Sequence, residues 1–267
     1  MQIIDTFTFF NELTILDLRL NMLDKHVDKF VLVEATKSHQ NKPKPLYYQD
    51  NKHLFEKFNH KIEHIIIDDF PQHTYWSHDA FQRNCITRGL LGKCNDNDIV
   101  FVSDVDEVWD PSRIDLNSIN DQSIYMWQSA ICYFYFNLIA QSNAWIQPFY
   151  LKYKLLEKYI NTGFKLTEDL MRNTENRFFG EKITLPDLRG WHFSYTEDWE
   201  HKLQNFTHSE HSNKTTNYIH DCIKNMQNPF HPHIKMHLVK DTIINEYLPS
   251  YVVDNIEKYQ KFILENK

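Results

Sequence analysis

The chain has 267 residues, enough to bury a substantial core, and it is rich in aromatic residues (15%) and poor in glycine (five). A formal net charge of −7, with no Lys/Arg stripe, argues against a nucleic-acid surface. The scattered cysteines, the absence of a secretory pattern at the N-terminus and the lack of any window near the ~20 apolar residues of a membrane span make a disulfide framework, a zinc site and a transmembrane segment unexpected. A soluble, cytoplasmic protein is the expectation.

Ile3–Phe10 reads as a strand, and Leu13, Leu16, Leu20 and Leu23 recur at helical spacing with Asn11 as a plausible cap. Lys29–Glu34 is a short buried strand whose end carries Glu34 and Thr36; the following Lys42-Pro43-Lys44-Pro45 loop is kept extended by its X-Pro steps. Lys61–Asp68 is a further strand closed by Pro71. From Trp76 to Leu91 a helix puts Ala80, Arg83 and Thr87 on one side and Phe81, Cys85, Ile86 and Leu90 toward a sheet. Next comes Ile99–Trp109, IVFVSDVDEVW, an apolar run that delivers Asp104, Asp106 and Glu107 to a strand end. Ile124–Ile139, without helical period, reads as one or two strands, Gln147–Tyr159 as a helix, and Asn161–Pro186 as a polar irregular segment able to cross the mouth of a site. Gly190–Tyr195 reads as a strand with His192 and Ser194 on one face. Thr196 would cap a helix from Glu197 to about Phe206, and Leu248–Leu264 would form a terminal docking helix. No repeat or linker divides the chain. The pattern is α/β, a single domain with a central mixed sheet flanked by helices, whose first part, to about residue 110, resembles a nucleotide-binding half and whose end, 248–267, is the docking helix.

Ligands of open α/β sheets sit beyond the carboxyl ends of the strands. Two carboxylates one residue apart at such an end can hold a hard divalent cation between protein and phosphate oxygens, because Mg²⁺ keeps only one or two protein carboxylates. Asp104 and Asp106 have that spacing. Taken alone they are equally an acidic turn ahead of a helix at Pro111.

Several stretches together, in order, resemble glycosyltransferase family 17. They are Ile4-Asp5 with Phe10-Asn11-Glu12-Leu13, Val27-Asp28-Lys29-Phe30-Val31 through Glu34-Ala35, Lys44-Pro45-Leu46, Ser103-Asp104-Val105-Asp106-Glu107, Gly190-Trp191-His192-Phe193-Ser194, Lys202-Leu203, and Tyr247-Leu248-Pro249 through Leu264. The resemblance implies a GT-A fold with about 1–110 as the nucleotide-binding half and about 111–247 as an acceptor and catalytic half, a nucleotide-sugar donor with UDP-N-acetylglucosamine (UDP-GlcNAc) leading, a glycan or glycoconjugate acceptor and an inverting mechanism. It also implies Mn²⁺ or Mg²⁺, held by the Asp-x-Asp motif and bridging the donor's diphosphate. By the same resemblance Asp106 is the direct metal ligand, Asp104 orients the ribose or reaches the metal through water, and Glu107 supports the loop. Golgi members of the family carry an N-terminal anchor and stem, whereas this chain begins almost directly with the catalytic region, so a bacterial or viral enzyme acting on another glycan is expected.

His192 is a candidate third metal ligand, an imidazole that suits Mn²⁺ better than Mg²⁺; the alternative is a core histidine on a half-buried strand. His208 and His211 are rivals. Inversion needs a base for the acceptor hydroxyl. Glu197, which matches the family's glutamate, and Asp198 are the candidates, with stabilisation of a helix N-terminus as the alternative. For the donor, Glu34 and Thr36 could meet uracil and ribose, and Lys44, Asp79 and Arg83 the phosphates or the sugar, Arg83 by bidentate pairing. Clustered acids also serve metal-dependent phosphoester hydrolysis, and a non-catalytic carbohydrate-binding protein is a third reading.

Overall fold

A computed structural model describes residues 1–70, 78–141, 144–161, 181–205, 214–240 and 244–265. The strands β1 (Ile3–Phe9), β2 (Lys29–Ala35), β3 (Ile62–Ile67), β4 (Ile99–Asp104), β5 (Glu107–Trp109), β6 (Ser123–Tyr133), β7 (Leu138–Ala140), β8 (Phe149–Lys152), β9 (Glu181–Ser194) and β10 (Met236–Leu238) join in one mixed sheet. Its order is β10-β7-β6-β8-β4-β1-β2-β3, with β9 pairing β5 and β6. The four strands of the sheet's N-terminal half, β3-β2-β1-β4, are mutually parallel, and β8 returns antiparallel along β4. The expected α/β architecture, a central mixed sheet flanked by helices, is the one present.

The apolar runs become buried strands because both faces are covered. Alternate residues divide between them: Phe7, Phe30, Leu32 and Phe101 pack on one side with Ile15, Leu16, Leu20 and Leu23 of helix α1 (Leu13–Leu23). Ile4, Val31, Val33, Val100 and Val102 pack on the other. After the short α2 (Tyr47–Asp50), helix α3 (His78–Asn84) covers that second face with Phe81, and a 3₁₀ turn, Cys85–Gly89, continues it with Cys85 and Ile86. Helices α4 (Tyr153–Asn161), α5 (Trp199–Asn205), α6 (Thr216–Lys224), α7 (Ile244–Tyr247), α8 (Ser250–Asp254) and α9 (Ile256–Tyr259) follow. Gly190 lies where β9 crosses β5, and a Cβ there would collide with the Val108 carbonyl. The registers that matter for function pair Thr8 with Asp104 and Glu107 with His192.

Several local expectations are corrected. Asn11 is not the cap of α1: the N-cap is Glu12, without a side-chain cap bond. Pro111 starts no helix, because the acids lead into β5 instead. Gln147–Tyr159 is not one helix but β8 followed by α4, since Phe149–Leu151 are wholly buried between β4 and β6 and sheet pairing there overrides the helical period. Residues 181–186, read as irregular, begin the long strand β9. Thr196 donates to the Phe193 carbonyl, and α5 starts later, at Trp199, because Tyr195 (φ 55°) and Asp198 (φ 42°) turn the chain through left-handed backbone first. The single docking helix is two short helices and a 3₁₀ turn, interrupted at Asn255, which still bury Val252, Tyr259 and Phe262. The expectations for Trp76, residues 162–180, His208 and His211 lie outside the described residues.

Candidate functional site

β4 delivers Asp104, two residues turn, and Glu107 opens β5. That turn is held from inside by Arg19 of α1, which is wholly buried. Its guanidinium pairs bidentately with Asp5 of β1 (2.7 and 2.7 Å), donates to Ser103 Oγ (2.7 Å) and donates to the carbonyls of Asp104 (2.9 Å) and Glu107 (2.9 Å). The planar fork of donors suits this task in a way that an ammonium would not. Glu107 completes the clamp: one carboxylate oxygen accepts from the Asp104 N–H (2.7 Å) and the other from Trp145 Nε1 (2.6 Å). Glu107 is therefore a loop support, and the Trp145 ring lies on His192 with centroids 4.8 Å apart.

A cleft of about 500 Å³ opens beside this turn, and Asp104, Asp106, His192, Arg83 and Asp79 all stand in its wall. Both acids are already engaged by buried cations. Asp104, one-quarter exposed, accepts from Arg83 Nε (3.2 Å) and Thr8 Oγ1 (2.9 Å), while Arg83 also donates to Asp79 (2.7 Å). Asp106, nearly buried, accepts from Lys202 of α5 at 3.0 Å, and the same ammonium donates to Glu12 at 2.9 Å. Burial works to raise the Asp106 pKa, but Lys202 and then His192 outweigh it and hold the carboxyl below its ordinary value. Burial likewise opposes the Lys202 charge, and Asp106 and Glu12 more than reverse that, raising its pKa. Beside Lys202, whose ammonium lies 5.9 Å from the Tyr195 ring centroid, Tyr133, Tyr195 and Phe230 form an aromatic part of the wall, with the rings of Tyr195 and Phe230 stacked at 4.5 Å.

Among the described residues, the other sequence candidates do not line this cleft. Glu34 is wholly buried and accepts from the Tyr48 N–H (2.9 Å) and His64 (3.0 Å), which makes it the anchor of α2. Thr36 donates to the Ile67 carbonyl (3.1 Å). Lys44 is directed at Glu34 (3.8 Å) and over the rings of Phe10 and Tyr47, and burial lowers its pKa against the pull of Glu34. Glu197 accepts from the Thr14 N–H (2.9 Å) and hydroxyl (2.7 Å), so its carboxylate serves the first turn of α1; burial raises its pKa against those hydrogen bonds. Asp198 is more than half exposed and accepts from Asn11 (3.2 Å).

The family model for glycosyltransferase family 17 matches residues 1–266. The chain belongs to glycosyltransferase family 17. Curated relatives are the β-1,4-mannosyl-glycoprotein 4-β-N-acetylglucosaminyltransferases of rat and human, each 26% identical over 120 residues, a match covering 42% of this chain and 22% of the relative. The chain thus spans about a fifth of the length of the curated relatives it matches. Among solved structures, a mannosyltransferase from Pyrobaculum calidifontis in complex with GDP-Man and Mn²⁺ is similar at a TM-score of 0.46 and 12% identity, over 75% of this chain and 59% of that one.

The metal that family 17 membership implies can be tested against these residues. Among the described residues no three His, Cys, Asp or Glu side chains converge as a closed metal group. Asp106 Oδ1 and His192 Nε2, however, face each other at 3.9 Å, less than twice the ~2.1 Å at which Mg²⁺ takes its ligands, with Asp104 in the same wall. An open pair of this kind fits an ion that completes its shell with phosphate and water, and Asp106 and His192 are the residues that would hold it.

Sequence reading missed Arg19, Trp145 and the roles of Glu12 and Lys202 in this cleft. Arg19 carried a signal: it sits on the apolar stripe of α1 between Leu16 and Leu23, while Asp5 interrupts the apolar face of β1. A base on one apolar face and an acid on another are natural partners, since neither charge can be buried alone. Glu12 and Lys202 are 190 positions apart, and no local pattern joins them.

Proposed function

We propose that this chain is a metal-dependent, inverting glycosyltransferase that moves N-acetylglucosamine from UDP-GlcNAc to a hydroxyl of a glycan or glycoconjugate. The observation that carries the reading is the convergence of Asp104, Asp106, His192 and Arg83 on one cleft at the carboxyl end of the parallel strands, where α/β folds bind nucleotides. Arg83, nearly buried and aimed at the acid turn, supplies fixed N–H donors for a diphosphate; Asp79 and Asp104 hold it in place. Asp106 and His192 would hold Mn²⁺ or Mg²⁺, which when bound neutralises charge developing on the leaving nucleotide. Arg19 and Glu107 keep the turn from shifting as the ligand arrives, the fixed-dipole condition for electrostatic stabilisation. Tyr133, Tyr195 and Phe230 add an aromatic stretch of wall suited to an acceptor sugar.

Glu197 takes a positioning role in this reading. It holds the N-terminus of α1, the helix that brings Arg19 to the turn. Among the described residues no helix is long and apolar enough to cross a membrane.

The test is thermal and chemical. UDP with Mn²⁺ should raise the melting temperature, Asp106→Ala should abolish the rise, and UDP-GlcNAc incubated with candidate acceptors should give a product heavier by one N-acetylhexosamine in mass spectrometry. Equal stabilisation of the Asp106→Ala variant removes the metal role. Release of phosphate from simple esters with no sugar transfer replaces the transferase by a hydrolase.

A further inference from the structure

Lys202 occupies the place where the second acid of the motif meets the cleft. Its side chain is 6% exposed, and its ammonium lies 3.0 Å from Asp106 Oδ2 and 2.9 Å from Glu12 Oε1. Glu12 is itself fixed, because its other oxygen accepts from the backbone N–H groups of Phe10 (3.3 Å) and Asn11 (3.1 Å) at the end of β1. Lys202 is carried on the short α5, whose first turn follows the left-handed residues Tyr195 and Asp198. The two acids that would meet a cation are thus matched by two protein cations, Arg83 on Asp104 and Lys202 on Asp106.

We propose that Lys202 is an ammonium lock on Asp106, released only when a nucleotide diphosphate arrives with the divalent ion. This deepens the transferase reading and rests on it. Pulling Lys202 off Asp106 to admit a metal alone takes a carboxylate partner from a buried ammonium and sets two cations against each other, a strongly unfavourable arrangement in a poorly solvated wall. A diphosphate supplies the missing partner: its oxygens take hydrogen bonds from the Lys202 ammonium as Asp106 turns to the metal. No bond is made or broken in this exchange; only ion-pair partners change. The consequence is positive coupling between metal and nucleotide, and by linkage each tightens the other by the same factor. The lock also keeps the site from loading a bare divalent ion. Lys202 is on this account a positioning residue that selects the metal–diphosphate complex over either component.

Mn²⁺ titration followed by electron paramagnetic resonance tests the lock without reference to turnover, using the full chain with and without UDP. Wild type should bind Mn²⁺ weakly alone and at least about tenfold more tightly with UDP, whereas Lys202→Met should bind Mn²⁺ alone at least about tenfold more tightly than wild type does, with the extra benefit of UDP reduced. Lys202→Gln, whose amide still donates to a carboxylate, should behave alike and serves if Lys202→Met does not fold. Equal Mn²⁺ affinity of wild type and the folded variant in the absence of UDP, including no binding by either, overturns the lock. Detection of sugar transfer by the wild type alongside that equality overturns the lock and leaves the transferase intact. Tighter Mn²⁺ binding by the variant and tightening by UDP in wild type, with no transfer from any UDP-sugar by wild type, upholds the metal–diphosphate lock and overturns the transfer step of the proposed function.

Discussion

Two buried cations hold the same turn in opposite ways. Arg19 grips it from the core: it is wholly buried, its guanidinium is matched to Asp5, and its remaining donors go to backbone carbonyls and Ser103. Lys202 grips it from the cleft: it lies in the wall of an open volume, between two carboxylates that could each take another partner. Chemically both are buried ion pairs. They differ in access, and access decides which one can exchange partners. A closed pair surrounded by protein can only be kept or broken, whereas a pair facing a cleft can be traded for a ligand. The core cluster therefore fixes geometry and the cleft cluster is able to respond.

The sharpest way to break this contrast is Arg19→Met. It leaves Asp5 in the core without its countercharge, held by the Trp109 indole N–H (3.2 Å), so unfolding in urea should show a loss of about 3–5 kcal/mol, and Mn²⁺ should not restore it. A loss under about 1 kcal/mol would mean that the core pair is not structural. Replacing both partners, Asp5→Leu with Arg19→Met, should be far less damaging than the single change, because no buried charge is stranded. Lys202→Met should destabilise less than Arg19→Met, and millimolar Mn²⁺ should raise its melting temperature while leaving that of Arg19→Met unchanged; the opposite ranking would erase the distinction between closed and exchangeable clusters.

Trp145→Phe comes next. It keeps a ring on His192 but removes the N–H to Glu107, a bond to a charged acceptor, and should lower stability in urea by about 1.5–3 kcal/mol. Glu197→Gln separates support from base chemistry. As the support of α1 it should lose about 1 kcal/mol with transfer largely retained, whereas a general base would lose transfer by about 10²–10⁴. The smallest effect belongs to a surface cluster with neither role. Burial of Glu63 raises its pKa, but hydrogen bonds from Lys29 and Lys93 outweigh that and lower it. A lowered carboxyl pKa gives stabilisation that is present above the unfolded value of ~4.3 and lost as pH falls through the folded one. Glu63→Gln should therefore flatten the acid limb of the stability profile by no more than about 1 kcal/mol, discounted for the partly solvated pair.

The parallel half of the sheet was legible because its strands are continuous apolar runs, and a run such as Ile99–Ser103 has few other ways to bury itself. Asp104, Asp106, Arg83, Asp79 and His192 were legible as a group because strand ends and helix faces point them at one edge. The C-terminal half was harder. Phe149–Lys152 has helical neighbours in sequence but sheet neighbours in space, and the latter supply the burial. Glu34 and Glu197 stand outside the cleft wall for one common reason: a carboxylate near a strand end looks the same in sequence whether it faces a ligand or the open N–H groups of a nearby helix, and here it meets those of α2 and α1.

The sequence by itself determined the α/β class, the strand that carries Asp104 and Asp106, and the likeness to family 17, because these rest on local pattern and on ordered motifs. Only the tertiary structure decided what neutralises those acids. Thr8 meets Asp104 and His192 meets Glu107 through sheet register, Arg19 reaches the turn from α1, and Lys202 arrives from nearly a hundred residues away. Charge pairing across such separations depends on distance and burial, which are properties of the folded chain, and they divide one acidic motif between a fixed scaffold and an exchangeable site.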